Sequence, residues 1–180
     1  MLNTTKTAQT AAQFIMLAGG SIPHLKLIKL LYLADRASLI HSGHSISGDK
    51  FVSMPHGPVP SGTLNILNGY CPDTDWDTLI SDKADHTVSL KVETPPTDEL
   101  SQYDASMIQE TWDRFGPMNK YELRDWTHDN LPEWKDPNGS SLPINIGDIL
   151  FQGANSPEEI SEISKEHAVF DEVDRIFASL

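Results

Sequence analysis

The chain has 180 residues, of which 38% are hydrophobic and 22% charged, as is normal for one globular domain with a buried core. Its 26 acidic and 13 basic residues give a formal net charge of −13, which disfavours direct binding to DNA or RNA. No apolar run approaches the roughly 20 residues that span a bilayer. Cys71 is the only cysteine, so an intrachain disulfide is impossible and a thiolate zinc site is improbable. We therefore expect a single cytoplasmic domain over residues 1–180, with no membrane association.

Two helices are predicted in the first part of the chain. Apolar residues at near-helical spacing predict the first over residues 5–18, before a glycine pair that stops it. Ser21 is expected to cap the second helix, with Pro23 in its first turn. The apolar face of this helix is wide, and its end is expected at 41–43.

Segments of alternating polar and apolar residues predict a small antiparallel sheet. Residues 50–54 have the pattern of a half-buried strand, and Pro55 and Pro58 are expected to end its regular pairing. Residues 87–92 alternate in the same way and are expected to pair with 78–80 beside the early strand.

The other predicted elements are helices, recognised by their start and stop signals. Five more helices are expected: residues 60–67, Thr97 to Phe115, a helix that begins after the capping residue Asn119, one or two turns within 144–151, and an acidic C-terminal helix over 156–179. Helical spacing predicts that the last helix buries Ile160, Ile163, Ala168, Val173 and Ile176. The predicted fold is therefore mainly α (α+β): one helical domain with a small antiparallel β-sheet.

Three histidines lie close to two aspartates in the segment that follows the second helix. His41, His44 and His56, with Asp35 and Asp49, supply the ligand types for a metal, but their spacing matches no metal motif. The first two histidines flank a helix end, where histidine can bond terminal carbonyl groups. The third lies between prolines, where it is expected to hold the loop by hydrogen bonding. We therefore predict no metal and no cofactor.

No catalytic motif converges in the sequence. A strand-turn-helix nucleophile elbow and the glycine patterns that bind phosphates are both missing, and the cluster of Asp73, Asp75 and Asp77 is typical of a solvated loop. An enzyme is therefore not expected. A small metal-dependent or histidine-dependent hydrolase built around His56 and His128 stays open as an alternative.

Aromatic residues are concentrated between positions 112 and 134. Trp112, Trp126 and Trp134, with Phe115 and Tyr121, would suit base stacking if basic residues framed them. Acidic residues crowd this region instead. We therefore expect these rings to form core or a protein interface.

Several short motifs follow one another in a fixed order. They are KLIKLLYLADR at 26–36, SISGD at 45–49, FVSM at 51–54, HGPVPS at 56–61, and ELRDWTH at 122–128 followed by Trp134. Their order and spacing resemble the Panacea domain, the antitoxin domain of many toxin–antitoxin modules, also described as SocA-like or phage-associated GepA-like. The likeness extends over roughly Thr5 to Glu159.

The resemblance implies a mainly helical fold and an antitoxin that neutralises a cognate protein toxin, encoded beside it, by direct stoichiometric binding. It implies no enzymatic activity, cofactor or metal. The acidic balance favours a basic patch on that toxin, although plain solubility explains the charge as well. The oligomeric state is left open, and an adaptor that recruits another protein without any toxin is a further alternative.

The resemblance also singles out residues for a structural or interface role. They are Lys29, Tyr32, Asp35, Arg36, Gly48, Asp49, His56, Gly57, Pro58, Val59, His128 and Trp134. Gly48 and Asp49 are expected to form the turn into the strand. The sequence His56-Gly57-Pro58 is expected to lead directly from strand into helix. Asp35 and Arg36 are expected to bond the loop between the second helix and the strand.

Overall fold

The computed structural model describes residues 1–177 and has a mainly α fold with a small amount of antiparallel sheet. The helices are α1 (Thr4–Leu17), α2 (His24–Ser42), α3 (Ser61–Leu67), α4 (Thr74–Leu79), α5 (Gln102–Phe115), α6 (Lys120–Asn130), α7 (Ile146–Leu150) and α8 (Pro157–Phe177). The strands are β1 (Ser21–Pro23), β2 (Phe51–Met54), β3 (Gly57–Pro60), β4 (Thr87–Ser89) and β5 (Leu142–Pro143). The predicted fold class is confirmed. Within residues 1–177, no helix is both long and apolar enough to cross a membrane.

Helix α2 is the central element of the core. Every residue from Leu27 to Asp35 is buried, so this helix is enclosed on all sides over more than two turns. Helices α1, α5, α6 and α7 and strand β3 all pack against it. Gly43, in the left-handed conformation at a φ of 79°, ends α2 as its C-cap. The predicted end of this helix is confirmed.

The start of α2 differs from the prediction. Ser21 does not cap this helix, because Ser21–Pro23 form strand β1 and pair with β4 in a two-stranded sheet. Pro23 is the N-cap residue, and it makes no side-chain capping bond. The predicted pairing of the 87–92 segment with 78–80 is confirmed only at Ile80, because the main partner of β4 is β1. Thr78 and Leu79 belong to α4, and only Ile80 forms an isolated bridge, to Leu90.

The second sheet has the strand order β3-β2-β5 and includes a hairpin that the sequence analysis missed. Strand β2 pairs with β3 in the register Phe51 to Pro60 and Ser53 to Pro58. Two prolines are compatible with β3 because it is an edge strand, whose outward positions need no N–H donor. The predicted direct passage from strand to helix is therefore wrong, since β3 lies between them.

Local capping signals determine where the later helices begin. Asn119 caps α6, as predicted, and Glu122 makes the reciprocal bond to the backbone of Asn119. Helix α5 starts later than expected, because Ser101 rather than Thr97 is its N-cap. Ser156 and Glu159 form the corresponding reciprocal bonds at the start of α8, at 2.7 and 3.2 Å.

Helix α8 packs on the core through only one part of its length. Ile160 and Ile163 are half-buried against the core, as predicted. Ala168, Val173 and Ile176 are exposed, so their predicted burial is wrong. Helical spacing identifies an apolar face, but it does not say whether another element covers that face.

Candidate functional site

The residues singled out from the sequence form polar networks around α2. The first of them is built on Lys29, whose side chain is fully buried. Its Nζ donates a hydrogen bond to the carbonyl oxygen of Pro58 in β3 at 2.8 Å. Burial lowers the pKa of Lys29 to about 6, so this side chain is mainly neutral at neutral pH. A buried amine thus ties the central helix to the hairpin.

The second network joins α2 to the segment after α6 through Glu133. This buried carboxylate accepts hydrogen bonds from the Tyr32 hydroxyl at 2.9 Å and from Arg36 Nε at 2.6 Å. Burial, reinforced by the Glu133 carboxylate, raises the pKa of Tyr32 well above its usual value. Arg36 was expected to bond the loop after α2, and this expectation is wrong because its partner is Glu133. Glu133 itself was not among the predicted residues; its only sequence signal is its position directly before Trp134.

The third network connects α2 to the loop that follows it. The backbone N–H and the hydroxyl of Ser47 donate to the two carboxylate oxygens of Asp35, at 2.8 and 2.6 Å. Burial raises the pKa of Asp35 to about 6, although these two hydrogen bonds oppose the shift. The Ser47 hydroxyl also accepts a bond from the backbone N–H of Asp49 at 3.0 Å. Asp35 therefore contacts the loop in the expected way.

Asp49 continues this network into α3. Its carboxylate accepts bonds from the backbone N–H groups of Gly62 at 3.0 Å and Thr63 at 2.7 Å, and from the Thr63 hydroxyl at 2.8 Å. These are the orphan donors at the start of a helix. Gly48, next to Asp49, has a φ of +69°, and a Cβ there would lie 2.5 Å from the carbonyl oxygen of Met1. The turn thus requires glycine for conformation and for space.

The hairpin turn places two of the predicted residues in opposite environments. His56 is exposed at the turn, whereas Gly57 is buried with a φ of +95°. A Cβ on Gly57 would lie 2.6 Å from Thr127 Oγ1 and 2.9 Å from Lys29 Nζ. Glycine is therefore required at position 57, where the hairpin meets α2 and α6. Val59, further along β3, is buried and pairs with Val52.

His128 and Trp134 connect α6 to the same hairpin. Their rings stack with centroids 4.1 Å apart and an interplanar angle of 11°. The indole Nε1 of Trp134 donates to the carbonyl oxygen of Met54 at 3.0 Å. Burial lowers the pKa of His128, and its Nε2 is buried without a hydrogen-bond partner.

We call these contacts together the motif network. In it, buried polar side chains join α2 to the hairpin, to the loop that follows α2 and to the segment after α6. The family model described as antitoxin SocA-like, Panacea domain, matches residues 27–135, which is more than half of the chain. The chain belongs to this family. Comparison with curated proteins and with solved structures gave no match.

The Panacea match begins in α2 and ends directly after Trp134, so it contains all three polar networks. It includes Glu133, the residue that sequence reasoning missed. Helices α1, α7 and α8 lie outside the matched residues.

The two histidines of the hydrolase alternative have separate surroundings in this Panacea domain. No hydrogen bond joins His56 to His128, and the His128 ring is engaged by Trp134. Within the part of the chain that the structure describes, no three His, Cys, Asp or Glu residues are grouped so as to hold a metal ion.

The histidines near the end of α2 have separate roles. His41 Nδ1 lies 2.8 Å from the carbonyl oxygen of Ala37, one turn earlier in the helix, as its predicted role at the helix end requires. His44 does not cap the helix; its ring lies 6.2 Å from that of His167 in α8. A groove of about 550 Å³ separates the loop 44–50 from α8 at this point.

The aromatic residues between positions 112 and 134 pack on the core as expected, except for Tyr121, which is exposed. Phe115 and Trp126 meet edge to face at 4.6 Å, and the guanidinium of Arg114 lies over both rings, at 5.0 and 5.3 Å. Arg124 similarly lies 5.5 Å from the ring of Tyr121. Basic residues therefore do lie beside these rings, contrary to the expectation. Arg114 and Arg124 make cation–π contacts with rings of their own chain.

Proposed function

We propose that the chain is an antitoxin that neutralises a cognate protein toxin by direct, stoichiometric binding. The observation that carries the proposal is the match of the Panacea domain to residues 27–135. This family supports a role in a toxin–antitoxin system in general. The direct, stoichiometric binding and the basic patch on the toxin are the parts that we add.

The contacts of the motif residues support binding rather than turnover. Asp35 and Asp49 use their carboxylates to hold Ser47 and the start of α3, and Glu133 holds Tyr32 and Arg36. Lys29 is engaged by Pro58 and is fully buried. Groups committed to such internal bonds are not available to a substrate, whereas a catalytic site needs a nucleophile and a base that converge in an accessible cleft. The motif network is therefore best explained as the framework of a binding protein.

Charge supports a basic partner. A net charge of −13 creates a field that attracts a cationic protein surface and repels nucleic acid. We therefore propose that the toxin carries a basic patch, that the complex forms in the cytoplasm, and that no nucleic acid is bound directly. Residues 1–180 are proposed to act as one domain.

The test uses the growth-inhibiting protein encoded by the adjacent reading frame. The two purified proteins should co-elute in size-exclusion chromatography, and toxin activity should fall linearly with added antitoxin until equivalence. An unrelated protein of similar size and net charge is the control for general electrostatic association. Protection by a small fraction of an equivalent, with altered toxin and no complex, would instead favour the hydrolase. A stable complex that leaves toxin activity unchanged would favour the adaptor.

A further inference from the structure

Helix α8 presents a continuous row of side chains to solvent on the face turned away from the core. The row consists of Glu162, Glu166, Val169 and Val173, separated by four, three and four residues, and we call it the outer seam. All four are exposed; Val169 retains 61% and Val173 40% of its accessible surface. Spacings of three and four residues place side chains on one face of a helix, as in a coiled-coil seam.

The opposite face of α8 is held against the domain. Ile160 and Ile163 pack on the core, and His167 Nε2 lies 2.9 Å from the carbonyl oxygen of Gly43. At about 100° per residue, these three positions lie more than a quarter turn from Val169. The outer seam is therefore directed outward by contacts that the domain itself provides.

The seam combines two chemistries. Its first half carries the carboxylates of Glu162 and Glu166, and its second half carries exposed apolar groups, with Phe170 beside them at 53% exposure. An apolar row beside a charged one marks an interaction surface more often than does a single exposed side chain. The segment Pro157–Phe177 contains seven acidic and two basic residues, so the seam lies in an acidic field.

A second copy of this chain fits the seam poorly. Parallel pairing of two α8 helices would place Glu162 and Glu166 opposite the same glutamates. Antiparallel pairing would place these carboxylates near Val169 and Val173, while the exposed Lys165 lies at the edge of the seam and not opposite them. A helix with apolar residues followed by lysine or arginine satisfies both halves of the seam.

We infer that the outer seam of α8 docks an amphipathic helix of the toxin. Apolar side chains of that helix cover Val169 and Val173, and its basic side chains face Glu162 and Glu166. The inference rests on the proposed function and specifies the surface that performs it. This surface lies outside the residues matched by the Panacea model.

The decisive experiment compares two variants that each add one negative charge to α8. Val169→Glu alters the seam, and Ser161→Glu alters an exposed position of the same helix on a different face. Affinity for the toxin encoded by the adjacent reading frame is measured by isothermal titration calorimetry on full-length protein. Val169→Glu should weaken the complex about tenfold or more, as expected for an apolar contact residue, and Ser161→Glu should have little effect. Circular dichroism and thermal melting confirm that both variants are folded.

A second pair of measurements tests the charged half. Glu166→Gln should slow association severalfold and reduce its dependence on salt, because exposed charges steer encounter more than they retain a bound partner. Equal affinity of the wild-type protein and Val169→Glu would overturn this inference and leave the proposed function intact. Failure of the wild-type protein to bind the toxin would overturn both. A wild-type dimer that Val169→Glu dissociates would assign the seam to a second copy and also overturn it.

Discussion

Lys29 Nζ donates a hydrogen bond of 2.8 Å to the carbonyl oxygen of Pro58, and the lysine side chain is excluded from water. Pro58 stands opposite Ser53 in the hairpin, whose hydroxyl in turn accepts from the backbone N–H of Lys135 at 3.2 Å. The buried amine thus fixes a hairpin that also contacts the end of the Panacea match. Its protonation state affects the stability of the whole domain.

Replacing Lys29 should change how stability depends on pH. The pKa of Lys29 is about 6 in the folded chain, far below the ordinary value of about 10.4 expected after unfolding. Between these values the unfolded chain binds a proton that the folded chain does not, so the free energy of unfolding rises with pH. The contribution is at most about 1.4 kcal/mol per pH unit.

Lys29→Met removes this contribution. Urea unfolding at about pH 7 and about pH 9 should therefore give a smaller rise in the free energy of unfolding for the variant than for the wild type. The exposed Lys83→Met is the control and should keep the wild-type slope. Identical slopes for all three proteins would show that Lys29 is charged when folded.

The titration of Asp35 should affect the free energy of unfolding in the direction opposite to that of Lys29, and at lower pH. Its folded pKa of about 6 lies above its ordinary value, so between about pH 4 and about pH 6 the folded chain holds a proton that the unfolded chain releases. This contribution to the free energy of unfolding therefore falls as pH rises through that window. Asp35→Asn should remove the fall, and chemical unfolding at several pH values measures it.

The contacts of Asp35 also predict a direct cost of truncation. Asp35→Ala leaves the Ser47 N–H and hydroxyl without their carboxylate and should destabilise the fold by about 1 to 3 kcal/mol at neutral pH, with loss of toxin neutralisation. Asp82→Ala, at an exposed position, should be nearly neutral. Unchanged melting with lost neutralisation would instead make Asp35 a direct participant in binding.

Substitution of Gly57 should combine backbone strain with a steric clash. Gly57→Val requires a branched side chain at a φ of +95° and places a Cβ 2.6 Å from Thr127 Oγ1. The strain alone should cost about 1 to 3 kcal/mol, and neutralisation should be lost together with stability. Gly139→Val separates the two effects, because Gly139 has a φ of +87° but nothing within 4 Å of its added Cβ. Equal melting temperatures for the two variants would exclude a steric contribution at Gly57.

Glu133 and Arg36 should be energetically coupled. A double-mutant cycle with Arg36→Gln and Glu133→Gln should give a coupling free energy of about 1 to 3 kcal/mol, because the Glu133 side chain is buried. The exposed pair Arg124 and Asp125 is the matched control, and its coupling should stay below about 1 kcal/mol. Thermal or urea unfolding measures both cycles. A coupling near zero at Arg36 and Glu133 would mean that Tyr32 alone holds this carboxylate.

The purified protein should hold no stoichiometric zinc, since the chain has one cysteine and its histidines are loosely spaced. Elemental analysis after dialysis without a chelator measures the metal content. One zinc per chain would contradict the separate positions of His41, His44 and His56 in the described part of the chain.

Local chemistry made several elements predictable from the sequence. The left-handed glycine at Gly43, the cap at Asn119 and the reciprocal cap at Ser156 act through neighbouring residues, so their signals are complete within a few positions. The same locality explains two errors. Ser21 and Thr97 have the chemistry of caps, but pairing with β4 and the competing Ser101 decide the outcome.

The sequence by itself determined the mainly helical class, the motif order that identifies the Panacea family, and the apolar positions of α2. Only the tertiary structure decided that Glu133 is the partner of Arg36, and that Pro58 belongs to a strand whose carbonyl group receives Lys29. These partners lie 97 and 29 residues apart, and nothing in a helical or strand period encodes a contact at such separations. The predicted burial of Val173 in α8 is wrong for the same reason, because periodicity marks an apolar face while the packing of distant elements decides whether it is covered.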